Sequence, residues 1–280
     1  MDRNLDKKIA IEAALEAALE AALEAGEILR GGINSHKNIG RKSSAVDLIT
    51  QFDHQAEAVI VSKLKNWFPD HKIVAEEGDW NDEGSVVSDY IWYIDPLDGT
   101  NNFSHGFPVF AVSIALYQRN EPLVGVVYDP MRDECFHAVR GQGAHLQTST
   151  SVQPLVVSQN HRLVDSLLAT GFPYDRHHSD HDNVKQFAAF LKKALGIRRA
   201  GSASLDLAYV AAGRLDGYWE YKLSSWDVAA GLLLVQEANG KVSNMQGEEL
   251  LLTPTLSLVV SNGLIQNSMV TALNNAAEVS

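Results

Sequence analysis

Cysteine is almost absent from this 280-residue chain, with Cys135 standing alone. A lone cysteine excludes an internal disulfide framework and fits a reducing compartment. Cys135 also lacks the arginine-containing loop of a cysteine phosphatase, so it reads as a half-buried strand residue. No apolar run approaches the ~20 residues of a membrane span. The acidic start Met1-Asp2-Arg3 is unlike a signal peptide. Cations are scarce: 23 Lys and Arg against 35 Asp and Glu give a formal net charge of -12. That balance argues against nucleic acid or an acidic membrane surface as partner, since both need basic patches. A phosphorylated substrate stays open, because bound cations reverse the local sign of a site. Hydrophobic and charged shares of 45% and 21% are ordinary. The expectation is a cytoplasmic globular protein with a sizeable core, in one large domain or two.

What is present centres on Tyr93-Ile94-Asp95-Pro96-Leu97-Asp98-Gly99-Thr100-Asn101-Asn102-Phe103. The apolar run 90–94 predicts a buried strand that stops at Asp95-Pro96. Two carboxylates split by a proline and followed by a glycine predict a turn that aims Asp95 and Asp98 at one point. The Leu97 carbonyl and the Gly99 and Thr100 amides lie beside them. Carboxylate and carbonyl oxygens suit a hard divalent cation, and amides at a helix start suit a phosphate. For an Asp-x-x-Asp pair alone, helix capping explains the residues as well.

Along the chain, residues 5–30 predict a helix with Leu15, Leu19 and Leu23 beside an acidic stripe of Glu12, Glu16, Glu20 and Glu24. The four-residue spacing drifts around the helix and sustains no heptad, so a packed surface helix is expected. Residues 42–53 read as a short strand running into a helix over 54–66, with Asp53 as its N-cap. Asp47, ahead of an apolar pair, is unfavourable in a strand unless used. A strand over 72–77 ends in Glu76 and Glu77, which point to opposite faces unless the strand has broken. Residues 78–89 read as a mobile surface loop. Strands over 110–117, 123–128 and 135–140 form an antiparallel meander. Residues 146–157 mark the one candidate boundary between halves of about 1–147 and 148–280. His177, His178 and His181 invite a zinc reading, but their spacing fits no compact site and a solvated loop is preferred. A helix over 182–193 turns Phe187, Phe190 and Leu191 inward. Gly201-Ser202-Ala203-Ser204 opens a second helix, Glu220 ends a strand, and Asp227 lies in the first turn of a helix over 228–237.

Together, Glu76, Asp95, Asp98 and Asp227 stand at strand ends or helix starts, where sites form in layered α/β proteins. From Asp47 to Val242, the string around Asp95, the Gly201-Ser202-Ala203 segment and Trp226-Asp227-Val228-Ala229-Ala230-Gly231 occur in the order of one known pattern. The chain resembles the inositol monophosphatase family, within the magnesium-dependent, lithium-sensitive sugar phosphatases. The resemblance implies a layered α-β-α-β-α sandwich, two or three Mg²⁺ ions per site and a homodimer. It implies that Glu76, Asp95 and the Leu97 carbonyl bind one ion. Asp95, Asp98 and Asp227 bind a second, and a third is held largely by water near Glu76. Asp47 and Thr100 are then expected to orient and deprotonate the attacking water. Gly99 and Thr100 hold the phosphate, while Asp98, Gly201, Ser202, Ala203, Glu220 and Asp227 contact a small phosphorylated cyclitol or sugar. Asn101, Ser204 and Asn239 depart from common family residues, and none of these departures removes a ligand.

No Ser, Cys or His nucleophile constellation appears, so direct attack by water is expected. The function implied is hydrolysis of an inositol monophosphate such as myo-inositol 1-phosphate. Fructose 1,6-bisphosphate, histidinol phosphate and nucleotide phosphates are the rival substrates. A regulatory role bound to the transcription machinery is the rival of another class.

Overall fold

The apolar run before Asp95 forms the second strand of a seven-stranded sheet, and the rest of the molecule is stacked on that sheet's two faces. The computed structural model describes residues 3–42, 44, 46–78 and 88–278. Most of the loop expected over 78–89 lies outside the described residues. The first part of the chain comprises α1 (Arg3–Gly32), β1 (Gly40–Arg41), β2 (Leu48–Ile49), α2 (Gln51–Trp67), β3 (Lys72–Ala75), β4 (Tyr90–Asp98) and α3 (Thr100–Ser104). The meander follows as β5 (Ala111–Gln118), β6 (Glu121–Asp129), β7 (Glu134–Val139), β8 (Ala144–Gln147) and β9 (Val152–Pro154). Then come β10 (Leu167–Thr170), α4 (Val184–Leu191), β11 (Gly196–Arg198), α5 (Ala203–Ala211), β12 (Gly217–Ser224) and α6 (Ser225–Glu237). The chain closes with β13 (Lys241–Ser243), β14 (Thr255–Ser261) and α7 (Gln266–Glu278).

The large sheet runs β3-β4-β5-β6-β7-β8-β9, with β3 parallel to β4 and the rest antiparallel. The second sheet runs β11-β10-β12-β14-β13. Alternation along β5 and β6 sorts side chains to two cores. Ile114, Leu116, Val124 and Val126 pack beneath α1 and α2. Ala115, Tyr117 and Val127 face α5 and α6, which fill the space between the sheets. Phe190 and Met269 of α4 and α7 cover the far face of the second sheet, where Phe190 stacks on Trp219 with ring centroids 4.3 Å apart. The order is the expected α-β-α-β-α layering. Among the described residues, no helix is long and apolar enough to cross a membrane.

Several local expectations are corrected. In α1 the buried face is made of alanines, Ala14, Ala17, Ala18, Ala21, Ala22 and Ala25, together with Leu29. Leu15 and Leu19 sit at the margin and Leu23 is exposed, because the helix approaches the sheet too closely for leucine at its centre. Cys135 is fully buried rather than half-buried. Leu191 points outward at the end of α4, while Phe190 takes the inward position. His177, His178 and His181 lie in an exposed loop, as the solvated reading has it.

The middle layer depends on small residues. A Cβ added at Gly125 of β6 would lie 2.8 Å from the Ala230 carbonyl oxygen and 3.1 Å from the Ala230 Cα of α6. Both are backbone atoms, so neither swings aside. Gly125→Ala is expected to destabilise the fold by about 1–3 kcal/mol through overpacking. Denaturant unfolding checks it: an unchanged midpoint would mean that α6 rides less tightly on the sheet than the coordinates show.

Candidate active site

β4 does not end at Asp95 as the sequence pattern suggests. Its pairing with β5 continues from Asp95↔Ser113 to Asp98↔Ala111, and the register shifts between them. Pro96, which has no amide hydrogen to give a ladder, sits in that irregularity. The bulge re-aims the strand, so that Asp95, the Leu97 backbone and Asp98 all border one cavity of about 360 Å³. Gly99 follows with φ of 101°, a left-handed conformation that caps α3 and costs a side-chain residue strain. Thr100 thereby begins a helix at the edge of the cavity, as expected.

Glu76 reaches the same cavity from just beyond β3, which ends at Ala75. Asp227 reaches it from α6, where it accepts the Ser224 amide at 2.8 Å in a capping box. Capping and a site role therefore coexist in this residue. Asp98 Oδ2 accepts the Ser202 hydroxyl at 2.6 Å, the Ser204 amide at 2.7 Å and the Ser204 hydroxyl at 2.5 Å. Ser204 is thus a partner of Asp98 that its motif position alone did not single out. Glu220 lines the cavity from β12, and the Tyr218 hydroxyl donates to its Oε2 at 2.5 Å. A Cβ at Gly171 would fall 2.0 Å from that oxygen, so glycine there makes room for the carboxylate. Asp47, Gly201 and Ala203 also line the cavity.

The structure separates two aspartates that the sequence reading had placed in other roles. Asp53 is not the N-cap of α2. Thr50 is, and Asp53 is the third helical residue of its capping box, with Oδ2 accepting the Thr50 amide at 2.8 Å and hydroxyl at 2.6 Å. The other oxygen, Oδ1, accepts the Thr100 hydroxyl at 3.0 Å. Asp47, expected to work with Thr100, borders the cavity, while the Thr100 hydroxyl donates to Asp53 Oδ1 and to the Leu97 carbonyl, each 3.0 Å away. Thr50-x-x-Asp53 is a capping-box spacing, and that signal was legible. Its second oxygen's partner is 47 residues away and was not.

Electrostatically the site is overloaded with like charge. Burial raises the pKa of Asp95, Asp98, Asp227 and Glu76, and neighbouring carboxylates add to the rise at Asp95 and Asp227. The charge of Glu76 beside Asp95 is the largest of these carboxylate effects, so the two groups disfavour being ionised together. Lys42 pairs with Glu76 at 2.7 Å and with Glu77. Burial alone would lower its pKa, and the two carboxylates outweigh that and raise it. Glu77 itself is pushed up to about 8 by burial and by the charge of Glu76. It bends away from the cavity, and its amide donates to Glu57.

No three of the described His, Cys, Asp or Glu side chains are drawn together closely enough to hold an ion as they stand. Asp98 is turned to its serines and Glu76 to Lys42. The donor set nevertheless fits a hard divalent cation in kind. It consists of oxygens only, carried on separate elements around one cavity, and close enough for their charges to oppose one another's ionisation.

The inositol monophosphatase family model matches residues 11–278 of this chain. The chain belongs to the inositol monophosphatase family. An inositol-1-monophosphatase of Synechocystis is 44% identical over 237 residues, covering 85% of this chain and 80% of its own length. A Pseudomonas aeruginosa protein named Nus factor SuhB is 47% identical over 226 residues, covering 80% of this chain and 82% of its own. Among solved structures, the inositol monophosphatase of Anabaena superposes with a TM-score of 0.80 at 39% identity, covering 94% of this chain and 96% of that one. The IMPase of Thermotoga maritima gives 0.84 at 33% identity, covering 95% and 98%. Within this inositol monophosphatase fold, the cavity between the β4 bulge, α5 and α6 is the place where the acidic residues of β4, β12 and α6 meet.

Proposed function

We propose that this protein is a Mg²⁺-dependent phosphomonoesterase that hydrolyses an inositol monophosphate to inositol and phosphate. The observation that carries the reading is the carboxylate cavity itself: Glu76, Asp95, Asp98 and Asp227 around one space, with Glu220 across it. Glu76, Asp95 and the Leu97 carbonyl would hold one ion, and Asp95, Asp98 and Asp227 a second. A third, largely hydrated ion would sit near Glu76. Bound magnesium supplies activation of the attacking water and neutralises charge on the phosphoryl group during in-line displacement.

The chain's own residues do the rest. Asp53 Oδ2 is fixed by Thr50, so Oδ1 is held toward the Thr100 hydroxyl. The water proton passes to Thr100 Oγ1 as the hydroxyl proton moves on to Asp53 Oδ1, which leaves a hydroxide equivalent beside the phosphate. Burial raises the pKa of Asp53, which makes it a better resting place for that proton. The Gly99 and Thr100 amides face the phosphate, and Glu220 accepts ring hydroxyls. Burial pushes Glu220 up to about 7.

Phosphate release from myo-inositol 1-phosphate and from fructose 1,6-bisphosphate, with and without Mg²⁺ and lithium, tests the reading. Lithium-sensitive release from the inositol ester alone is the expected result. Equal rates on both esters would make the enzyme a dual sugar phosphatase, and release from neither would remove the catalytic reading. The Nus-factor names of the P. aeruginosa relative and others favour a second reading, a regulatory binding role with the transcription machinery. It is separable, because Asp95→Asn should abolish turnover and leave such binding intact.

A further inference from the structure

Asp206 is a buried acid that neither the fold nor the proton relay uses. It sits in the first turn of α5 with 2% of its surface exposed, between the fully buried Leu205 and Leu207. Its Oδ1 has no hydrogen-bond partner among the described residues. Buried carboxyl oxygens are normally satisfied, so an orphan of this kind calls for an explanation. A first-turn acid gains from the helix dipole, but that gain is small and does not offset burial beside two further carboxylates. Burial, then Glu220, then Asp98 raise its pKa far above the usual range, with Arg199 opposing them.

Asp206 lines the substrate cavity, as do Glu220 and Arg199. The Tyr218 hydroxyl donates to Glu220 Oε2 and so holds that carboxyl in place at the cavity wall. The cavity is therefore lined by two carboxyls and one guanidinium, and one of those carboxyls, Asp206, has a buried oxygen with no partner among the described residues. Ring hydroxyls are both donors and acceptors, and this set offers partners of both kinds.

We propose that Asp206 is a specificity-determining residue that reads a second ring hydroxyl beside the one taken by Glu220, favouring polyhydroxylated phosphate esters over esters without hydroxyls. The inference rests on the polyol phosphatase reading. A site built to bond a hydroxyl discriminates strongly against ligands that leave its buried polar atoms unpaired.

Steady-state kinetics with Mg²⁺ on myo-inositol 1-phosphate and on 4-nitrophenyl phosphate test it, comparing wild type, Asp206→Asn and Asp206→Leu. The ratio of kcat/KM for the inositol ester over the aryl ester is expected to fall about 10-fold in the asparagine variant and further in the leucine variant. The fall should be carried by KM for the inositol ester. The leucine variant should melt at or above the wild-type temperature, since it removes an unsatisfied buried acid. If that variant does not fold, the asparagine variant decides. A ratio that stays within twofold of wild type, or a fall carried by kcat equally on both esters, overturns the inference while leaving the phosphatase reading intact. A wild-type protein active on the aryl ester alone sinks the polyol reading, and this inference with it.

Discussion

Asp95→Asn is expected to lower turnover by three or more orders of magnitude while leaving the metal-free protein as stable as wild type, or more so. The two halves of this prediction have one cause. Asp95 is 2% exposed, and it is pushed toward its neutral form by burial and then by Glu76, Asp98 and Asp227. Replacing it by its neutral isostere removes the repulsion among these buried carboxylates. One backbone contact is at stake, the Leu97 amide donating to Asp95 Oδ1 at 3.0 Å, and an asparagine oxygen can accept it. Asp95 would also bridge both proposed ions, so its loss weakens each of them together. Thermal unfolding with and without Mg²⁺, beside phosphate release, reads both halves. Wild type should gain stability on adding Mg²⁺ by ligand linkage, and the variant should lose most of that gain. A strongly destabilised variant with normal turnover would make Asp95 a structural residue instead.

The residues that were legible in the sequence are those whose chemistry is local. The turn that aims Asp95 and Asp98 at one cavity could be anticipated from Asp95-Pro96-Leu97-Asp98-Gly99, because proline and glycine punctuate the chain in one place. The α-β-α-β-α layering came through the resemblance. β5 and β6 were legible as short apolar runs between turn sequences, because each strand buries both faces against different layers. The alanine face of α1 was hidden, since leucines dominate its pattern and only the depth of helix-sheet approach reveals which stripe is inside. Lys42, Ser204 and Asp206 escaped for a related reason. Each is unremarkable among its neighbours in sequence, and its meaning comes from a carboxylate brought in from another element. Proline in β4 was read as a strand end, yet the strand resumes after it, because the bulge isolates the one residue that cannot donate.

The second large effect separates Asp53 from Asp47. Asp53→Asn should lower kcat by about 10²–10⁴-fold, the range for losing a positioned general base, with little change in KM. Asp47→Asn should cost far less, because the Thr100 hydroxyl bonds Asp53 Oδ1 and not the residue expected from the sequence. Thr100→Val cuts the same relay from its other end. It should therefore resemble Asp53→Asn, and the double variant should lose little more than either single one, as groups acting in one unit do. Asparagine keeps an acceptor for the Thr50 amide, so the cap of α2 survives and a folding defect is not expected. Unfolding midpoints should confirm that, which leaves the rate loss to chemistry. The acid limb of the kcat profile supplies an independent readout: a base must be ionised to take a proton, so wild-type kcat falls as pH drops through the Asp53 pKa, and Asp53→Asn should lose that limb. If Asp47→Asn proves the more damaging and Asp53→Asn keeps the limb, the proton leaves the water by way of Asp47, and the Thr50-Asp53-Thr100 chain only ties α2 to the β4 bulge.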